Sequence, residues 1–460
     1  MRTYVLDAAA KTPLYEQLYR AVKEDILFGA IAGGEKLPSK RALAEHLSIS
    51  RITVESAYEQ LLTEGYIVSR PRSGYYAQSL QMLPEAIRPE LPPVEQTAVG
   101  VPSASAGYFP FSVWAKLMRG VLLDRREQLL QPVANVGLEE LRRAIAGMLR
   151  RSRGMDVDPA CIVIGAGAEY LYNILIQLLG RDRCFGLEDP GHGKIAQVYA
   201  ANLVKVVPVA LDEEGVCVEA LRRSEATVMH LSPGHQYPTG IITPIGRRRQ
   251  LMAWLAEASD RWLIEDDYDS EFRFGGKPIP TMFSMDDVGR VIYMNTFSRT
   301  ITPALRISYM ILPPDLMAQY RAKLGFYSCT VPAFEQLTLA RFLDEGYFEK
   351  HLNRMRRHYR LLRDGFLDLL STSPCADRIL VQGHEAGLHM LLRLETELPD
   401  EEVERRLAEA GVQAASLRRY QMHPAAEVRQ GVMVVSYSDL EPEQLPRLIQ
   451  VLAEITTQAS

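Results

Sequence analysis

The sequence is poor in the features that would place a chain outside the cell or across a membrane. Its five cysteines, at positions 161, 184, 217, 329 and 375, are odd in number, scattered and without a C-x-x-C pair. That pattern argues against a disulfide framework or a zinc site and for reduced cytoplasmic thiols. No apolar run is long enough to span a bilayer, so no membrane helix is expected. The opening stretch Met1-Arg2-Thr3-Tyr4-Val5-Leu6-Asp7 lacks the apolar core of a signal peptide. There is no strong excess of either charge: the net is −5, and residues 1–77 hold ten Lys and Arg against nine Asp and Glu, leaving −6 for the remainder. Any affinity for nucleic acid must therefore come from where the cations sit. Internal repeats and low-complexity runs are missing too. What is present is ordinary globular composition, 47% hydrophobic and 24% charged, over 460 residues, which implies two or three folding units.

Residues 13–27 start at Pro13 and place Leu14, Leu18, Val22 and Ile26 at steps of four, a core-facing helical stripe. After Gly29, Gly33 and Gly34, Ser39 can cap a short helix carrying Leu43, Ala44 and Leu47. A tight turn at Ser48-Ile49 precedes Ser50, which can cap a helix burying Val54, Ala57, Tyr58, Leu61 and Leu62. Gly65 ends it, and residues 66–76 read as two short strands around a basic turn. Helix, helix, turn, helix and basic hairpin make a winged helix-turn-helix. Lys40 and Arg41 open one helix of the pair, Arg51 opens the other, and Arg70 and Arg72 tip the hairpin, positions from which cations reach phosphates and groove edges together. A solvated helical hairpin with incidental charges is the plainer alternative.

Residues 78–107 carry Pro84, Pro89, Pro92, Pro93, Pro102 and a run of small residues with no amphipathic period, which predicts a tether. From 108 to 460, apolar strands alternate with helical periodicity. Strands are expected at 161–164, 206–209, 227–231, 262–264 and 291–294, so the sheet should be mostly parallel with its ligand site at the strands' carboxyl ends. Three of those ends carry chemistry. Gly165-Ala166-Gly167-Ala168 between strand and helix suits a phosphate, although such turns are common in α/β folds. Glu265-Asp266-Asp267-Tyr268-Asp269-Ser270-Glu271-Phe272-Arg273 holds a carboxylate cluster of the kind that binds a metal, pairs with a cation or caps the following segment, and no histidine or second acidic cluster elsewhere points to the metal. Thr296-Phe297-Ser298-Arg299-Thr300-Ile301-Thr302-Pro303-Ala304-Leu305-Arg306 ends a buried strand in hydroxyls and two fixed cations, again suited to a phosphate. Residues 345–460 read as a smaller C-terminal subdomain.

Lys36 to Ala44, Ser50 to Val54 and Leu61 to Ile67 resemble the GntR-type winged helix in order and over their whole length. That resemblance implies that Arg41, Arg51 and Thr53 face double-stranded operator DNA, with Lys40, Arg70 and Arg72 as phosphate contacts beside the cap Ser39. The remainder resembles the fold type I, aspartate-aminotransferase-like domain, and the two together resemble the MocR/GabR-type transcription regulators. The domains expected are a DNA-binding domain at 1–77, a linker at 78–107 and an aminotransferase-like, dimerising domain at 108–460. In that family pyridoxal 5′-phosphate is the cofactor. By resemblance, Gly167, Ala168 and Glu169 cradle its phosphate, with Thr296, Ser298 and Arg306. Asp266 pairs with its ring nitrogen and Tyr268 with its ring oxygen, while Gln236, in Ser232-Pro233-Gly234-His235-Gln236-Tyr237-Pro238-Thr239-Gly240, lies against the ring.

Several positions depart from the family pattern. Arg299 stands at the cofactor lysine, where an imine needs an amine that can lose its proton, and a guanidinium of pKa above ~12 does not. His192, in Glu188-Asp189-Pro190-Gly191-His192, stands at the stacking tyrosine. Gln131 to Gly137 lacks the tyrosine that reaches a neighbouring subunit's phosphate, and Gly431 to Tyr437 lacks the substrate-carboxylate arginine, Arg429 being the nearest cation. The expected function is a cytoplasmic, homodimeric regulator with no catalytic residue and no metal. Its body would sense a small molecule, either pyridoxal phosphate held non-covalently or another anion. The alternative is an aminotransferase with a DNA-binding appendage, its imine on Lys194 or Lys277.

Overall fold

The computed structural model describes residues 2–7, 10, 12–79, 106–274, 279–422, 430–438 and 440–457. The chain divides into two compact units, Met1–Glu95 and Gln96–Ser460. Most of the proline-rich stretch expected as a tether, together with Lys277 and Arg429, lies outside the described residues.

In the first unit, α1 (Leu14–Leu27), α2 (Lys40–Leu47) and α3 (Arg51–Thr63) precede a hairpin of β1 (Ile67–Arg70) and β2 (Gly74–Ala77). The expected stripe of α1 is buried at Leu18, Val22 and Ile26, and α3 buries Val54, Ala57, Tyr58 and Leu61 against it. Burying a Leu or Val side chain stabilises by about 1.5–3 kcal/mol, so this small core is carried by about a dozen side chains. Both expected caps form: Ser39 Oγ accepts from Ala42 N at 3.2 Å and Ser50 Oγ accepts from Thr53 N at 3.1 Å. Ser48 takes the left-handed conformation at the turn between α2 and α3.

The second unit is built on an eight-stranded sheet. Its strands are β3 (Ile162–Gly165), β4 (Cys184–Asp189), β5 (Lys205–Asp212), β6 (Gly215–Val216), β7 (Val228–Leu231), β8 (Trp262–Asp266), β9 (Val291–Thr296) and β10 (Ser308–Ile311), in the order β3-β10-β9-β8-β7-β4-β5-β6. β9, β8, β7, β4 and β5 are parallel; β10 runs against β9 and β3, so β3 shares the majority direction. β3, β7, β9 and β10 are buried along their whole length. Helices therefore cover both faces. They include α4 (Phe111–Asp124), α5 (Glu139–Arg153), α6 (Ala168–Leu179) and α7 (Gly193–Ala201). The expected strand at 206–209 extends to Lys205–Asp212.

A 25-residue helix, Tyr347–Ser371, leads to a four-stranded antiparallel sheet of β11 (Ile379–Gln382), β12 (His389–Leu394), β13 (Ala414–Ser416) and β14 (Val432–Ser436), in the order β11-β12-β14-β13. This sheet has its own core around Met355, Tyr359, Leu392, Val403 and Met433. The arrangement puts the carboxyl ends of β3, β4, β7, β8 and β9 along one edge of the large sheet, so the quoted motifs share one edge.

Candidate functional site

In the N-terminal unit the cations differ in how free they are. Lys40 is largely buried, donates to Glu55 at 2.6 Å and lies 5.5 Å from the Tyr75 ring centroid. Its charge is spent within the fold. Arg41 is exposed and, among the described residues, pairs with Glu45, one turn on, at 2.8 Å. Arg51 is exposed at the first position of α3, with the solvent-facing Ile52 beside it. The Thr53 hydroxyl lies 2.8 Å from the Ser50 Oγ. On the hairpin, Arg70 stacks 4.4 Å over Tyr76, and Arg72 takes a positive φ of 61° at the exposed tip.

In the C-terminal unit, one cavity lies at the strand ends, lined among others by Glu188, His192, His230, Tyr237, Asp266, Tyr268 and Arg299. Its free space is about 40 Å³, room for a few water molecules. The Arg299 guanidinium is pulled below its ordinary value by burial, against which Tyr268, Asp269 and Tyr237 push it up. Asp266 ends β8 and is held in a polar chain: it accepts from Tyr172 Oη at 2.6 Å and meets His230 Nε2 at 3.4 Å, and His230 Nδ1 lies 2.8 Å from Tyr199 Oη. Burial raises its pKa, but the His230 and Tyr172 hydrogen bonds outweigh that and leave it below the usual carboxylate range. Asp266 is a fixed anion. Burial, with Arg299 as the second cause, pulls His192 down to about 4. Glu188 is pushed up to about 8 by burial, although Ser232 N donates to it at 3.1 Å.

A cationic corner stands where β3 runs into α6. Gly167 has φ +91°, and a Cβ there would collide with the Arg306 guanidinium. Arg306 sits in the left-handed region and donates to Glu169 at 2.6 Å, and Lys194 at the start of α7 pairs with the other Glu169 oxygen. Two cations thus share one carboxylate in the first turn of α6, which begins at Ala168. Ser298 Oγ is buried and has no hydrogen-bond partner among the described residues.

Two residues expected to contact a ligand are occupied internally. Gln236 is fully buried; its Nε2 donates to Pro190 O and Tyr237 O, at 3.0 and 2.6 Å, and its Oε1 accepts from Thr239 N and Oγ1. It ties its own loop to the loop after β4 and is not among the lining residues. The Thr296 hydroxyl accepts from Ser298 N and Ser308 Oγ, at 3.2 and 2.8 Å, and so shapes the turn. The rest of the acidic run is distributed the same way. Glu265 accepts from Met282 N and Phe283 N, each at 2.9 Å; Asp267 pairs with Arg153 and accepts from Tyr293 and Ser270; Asp269 lies 2.8 Å from His235 Nδ1. Each carboxylate has a partner of its own, which explains the density of the run better than a cap does.

Sequence reasoning did not single out Tyr172, His230, Glu188, Tyr237 and Met422. Glu188 and Tyr237 fall inside the quoted motifs. Met422 gave no signal, because it reaches the cavity through long-range contacts: its N–H donates to Asp189 at 2.9 Å and Gly191 N donates to Tyr420 O at 2.9 Å.

Residues 14–76 match the family model "Bacterial regulatory proteins, gntR family". Over nearly its whole length the chain is similar to HTH-type transcriptional regulators. It is 39% identical to YdeL of Bacillus subtilis (strain 168), covering 95% of this chain and 96% of that one. It is 32% identical to the probable rhizopine catabolism regulatory protein MocR of Rhizobium meliloti, over 96% and 93%. It is likewise 32% identical to the pyridoxine biosynthesis regulator PdxR of Corynebacterium glutamicum, over 89% and 88%. Among solved structures, Pyrococcus horikoshii kynurenine aminotransferase superposes with a TM-score of 0.67 at 24% identity, over 79% of this chain and 90% of that one. That likeness shows the fold.

Proposed function

Because the chain belongs to the MocR-type GntR regulators, transcription regulators in which a GntR DNA-binding domain is fused to an aminotransferase-like domain, we propose that its second unit senses a small anionic molecule without bonding to it covalently. Pyridoxal 5′-phosphate is the first candidate. The observation that carries this reading is the pairing of a cationic corner, Arg306 beside Gly167 with an orphaned Ser298 hydroxyl, with a fixed anion at Asp266. Both ends of that cofactor are provided for: a phosphate takes Arg306, Ser298 Oγ and the α6 N-terminus, and Asp266 suits a protonated ring nitrogen. Bound there, the cofactor supplies an electron-withdrawing ring to an amino compound.

Between the two ends stands Arg299. It remains charged at any physiological pH, cannot take the place of a neutral amine, and lines the cavity. A ring enters only when Arg299 withdraws, after which its planar donors serve a phosphate or carboxylate. Tyr268 and Tyr237 form the wall, and His192, held neutral, offers a flat face to a ring without adding charge. Lys194 is engaged with Glu169 at the phosphate end, which counts against an imine on that lysine.

In the first unit, Arg41, Arg51, Thr53, Arg70 and Arg72 are the side chains we assign to operator DNA, with Ser39 as cap and Lys40 as a structural ion pair. The protein works as a homodimer in the cytoplasm, and ligand occupancy changes how the winged helices engage their site. Absorbance titration of the full chain with pyridoxal 5′-phosphate, run beside a gel shift on its own upstream region, tests this. Saturable binding that dialysis reverses and that alters the shift is expected; no saturable binding, or a shift indifferent to the ligand, overturns it.

A further inference from the structure

Behind the wall formed by Tyr268 and Tyr237, three residues far apart in the chain meet. His235 and Asp269 come from the loops after β7 and β8, and His389 opens β12 of the small sheet. All three are buried, and one ligand atom from each lies within 4.8 Å of the others. The two imidazole rings are 4.8 Å apart, centroid to centroid. Gly387, at φ +72°, is required for this approach, since a Cβ there would strike the His235 ring and come within 2.6 Å of Asp269 Oδ2.

The hydrogen bonds fix how the rings carry their protons. His235 Nδ1 lies 2.8 Å from Asp269 Oδ2, so Nδ1 holds the proton and donates it. His389 bonds the Pro238 backbone, which offers only a carbonyl, and its Nε2 has no partner among the described residues, so its Nδ1 is the donor. Nε2 of His235 is equally without a partner among the described residues. Each ring thus keeps a buried Nε2 lone pair with no partner among the described residues, in rings 4.8 Å apart, with a carboxylate holding the back of one ring. Leaving such acceptors unsatisfied is costly, and an imidazole oriented by a carboxylate is the usual arrangement behind a metal.

We propose that His235 and His389 form a site for a borderline divalent cation of the Zn²⁺, Co²⁺ and Ni²⁺ class, with Asp269 orienting His235 and supplying the compensating charge. Imidazole suits this class, whereas Mg²⁺ and Ca²⁺ prefer oxygen ligands. The charged group that opposes the site is Arg299, which acts on both His389 and Asp269. Bound metal would fasten the large-sheet loops to the small sheet directly behind Tyr268, whose hydroxyl is 3.4 Å from His235 Nδ1.

The test titrates the EDTA-stripped full chain with CoCl2, following visible absorbance and the cobalt retained after desalting. One cobalt per chain, displaced by Zn²⁺, is expected. His235→Gln and His389→Gln should each abolish retention, Asp269→Asn should weaken binding by roughly tenfold to a hundredfold, and His46→Gln, on the exposed face of α2, should change nothing. Arg299→Gln leaves both imidazoles in place and should tighten binding. No retained cobalt in the parent protein, retention that survives His389→Gln, or an unchanged or weaker affinity in Arg299→Gln would each overturn the proposal.

Discussion

Arg306 and Glu169 are held 2.6 Å apart across the β3–α6 turn, and Lys194 closes on the same carboxylate. Burial raises the Glu169 pKa, but the bonds from Lys194 and Arg306 outweigh it and hold the group ionised. Arg306 is about half exposed, so the pair itself contributes little to stability, and an incoming phosphate can displace the carboxylate at small cost. Glu169→Gln should therefore tighten pyridoxal 5′-phosphate binding several-fold, and Arg306→Ala should weaken it by about 1.5–3 kcal/mol, the worth of a charge-assisted hydrogen bond. Fluorescence titration of both variants checks the pair of signs.

Arg51 opens α3 on its exposed side, while Lys40 is tied to Glu55. Arg51→Ala should abolish the sequence-specific gel shift and leave the circular dichroism unchanged. Arg72→Ala should weaken binding evenly across sequences and lower the salt slope by about one. Lys40→Ala should act through folding, seen as a lower melting temperature of the N-terminal unit.

The Arg153–Asp267 pair is nearly inaccessible, with side-chain exposures of 13% and 4%. Desolvation pulls Arg153 down and Asp267, with Tyr293 and Glu271, more than restores it, so it stays charged. Arg153→Ala strands Asp267 beside Glu265 and Glu271, and should cost about 3–5 kcal/mol in a urea unfolding midpoint. Because Asp267 lies between Asp266 and Tyr268, ligand affinity should fall in the same variant.

Glu188 gives the pocket a pH dependence. Its pKa in the folded protein is raised to about 8, against about 4.3 in an unfolded chain. It is neutral in the pocket below pH 8 and becomes a second anion above it. Its stabilising contribution is fully present below the unfolded value and is lost as pH rises through the folded one. Affinity for an anionic ligand should drop as pH passes 8, and Glu188→Gln should flatten that drop; an identical profile in the variant would remove Glu188 from the account.

The legible parts of this protein were those written locally. Ser39 and Ser50 announced their helices because a cap needs only the next three residues, and the strand-end motifs announced the edge because polar residues directly after buried strands mark it. Arg299 was readable as a single substitution. The motif positions of Gln236 and Thr296 suggest ligand contacts, yet Gln236 is bonded to Pro190, Tyr237 and Thr239 and Thr296 to Ser298 and Ser308. Nothing local distinguishes the two cases. The meeting of His235, Asp269 and His389 was hidden for a different reason: it depends on two sheets packing through Gly387, which periodicity does not report.

The proposed recognition of a ligand without a covalent bond turns on the charged side chain at position 299. Intact-mass measurement after incubation with pyridoxal 5′-phosphate and borohydride reduction tests it most directly. The parent protein should keep its unmodified mass, and Arg299→Lys should carry a one-to-one adduct mapping to position 299. A stoichiometric adduct on any lysine of the parent protein would contradict it.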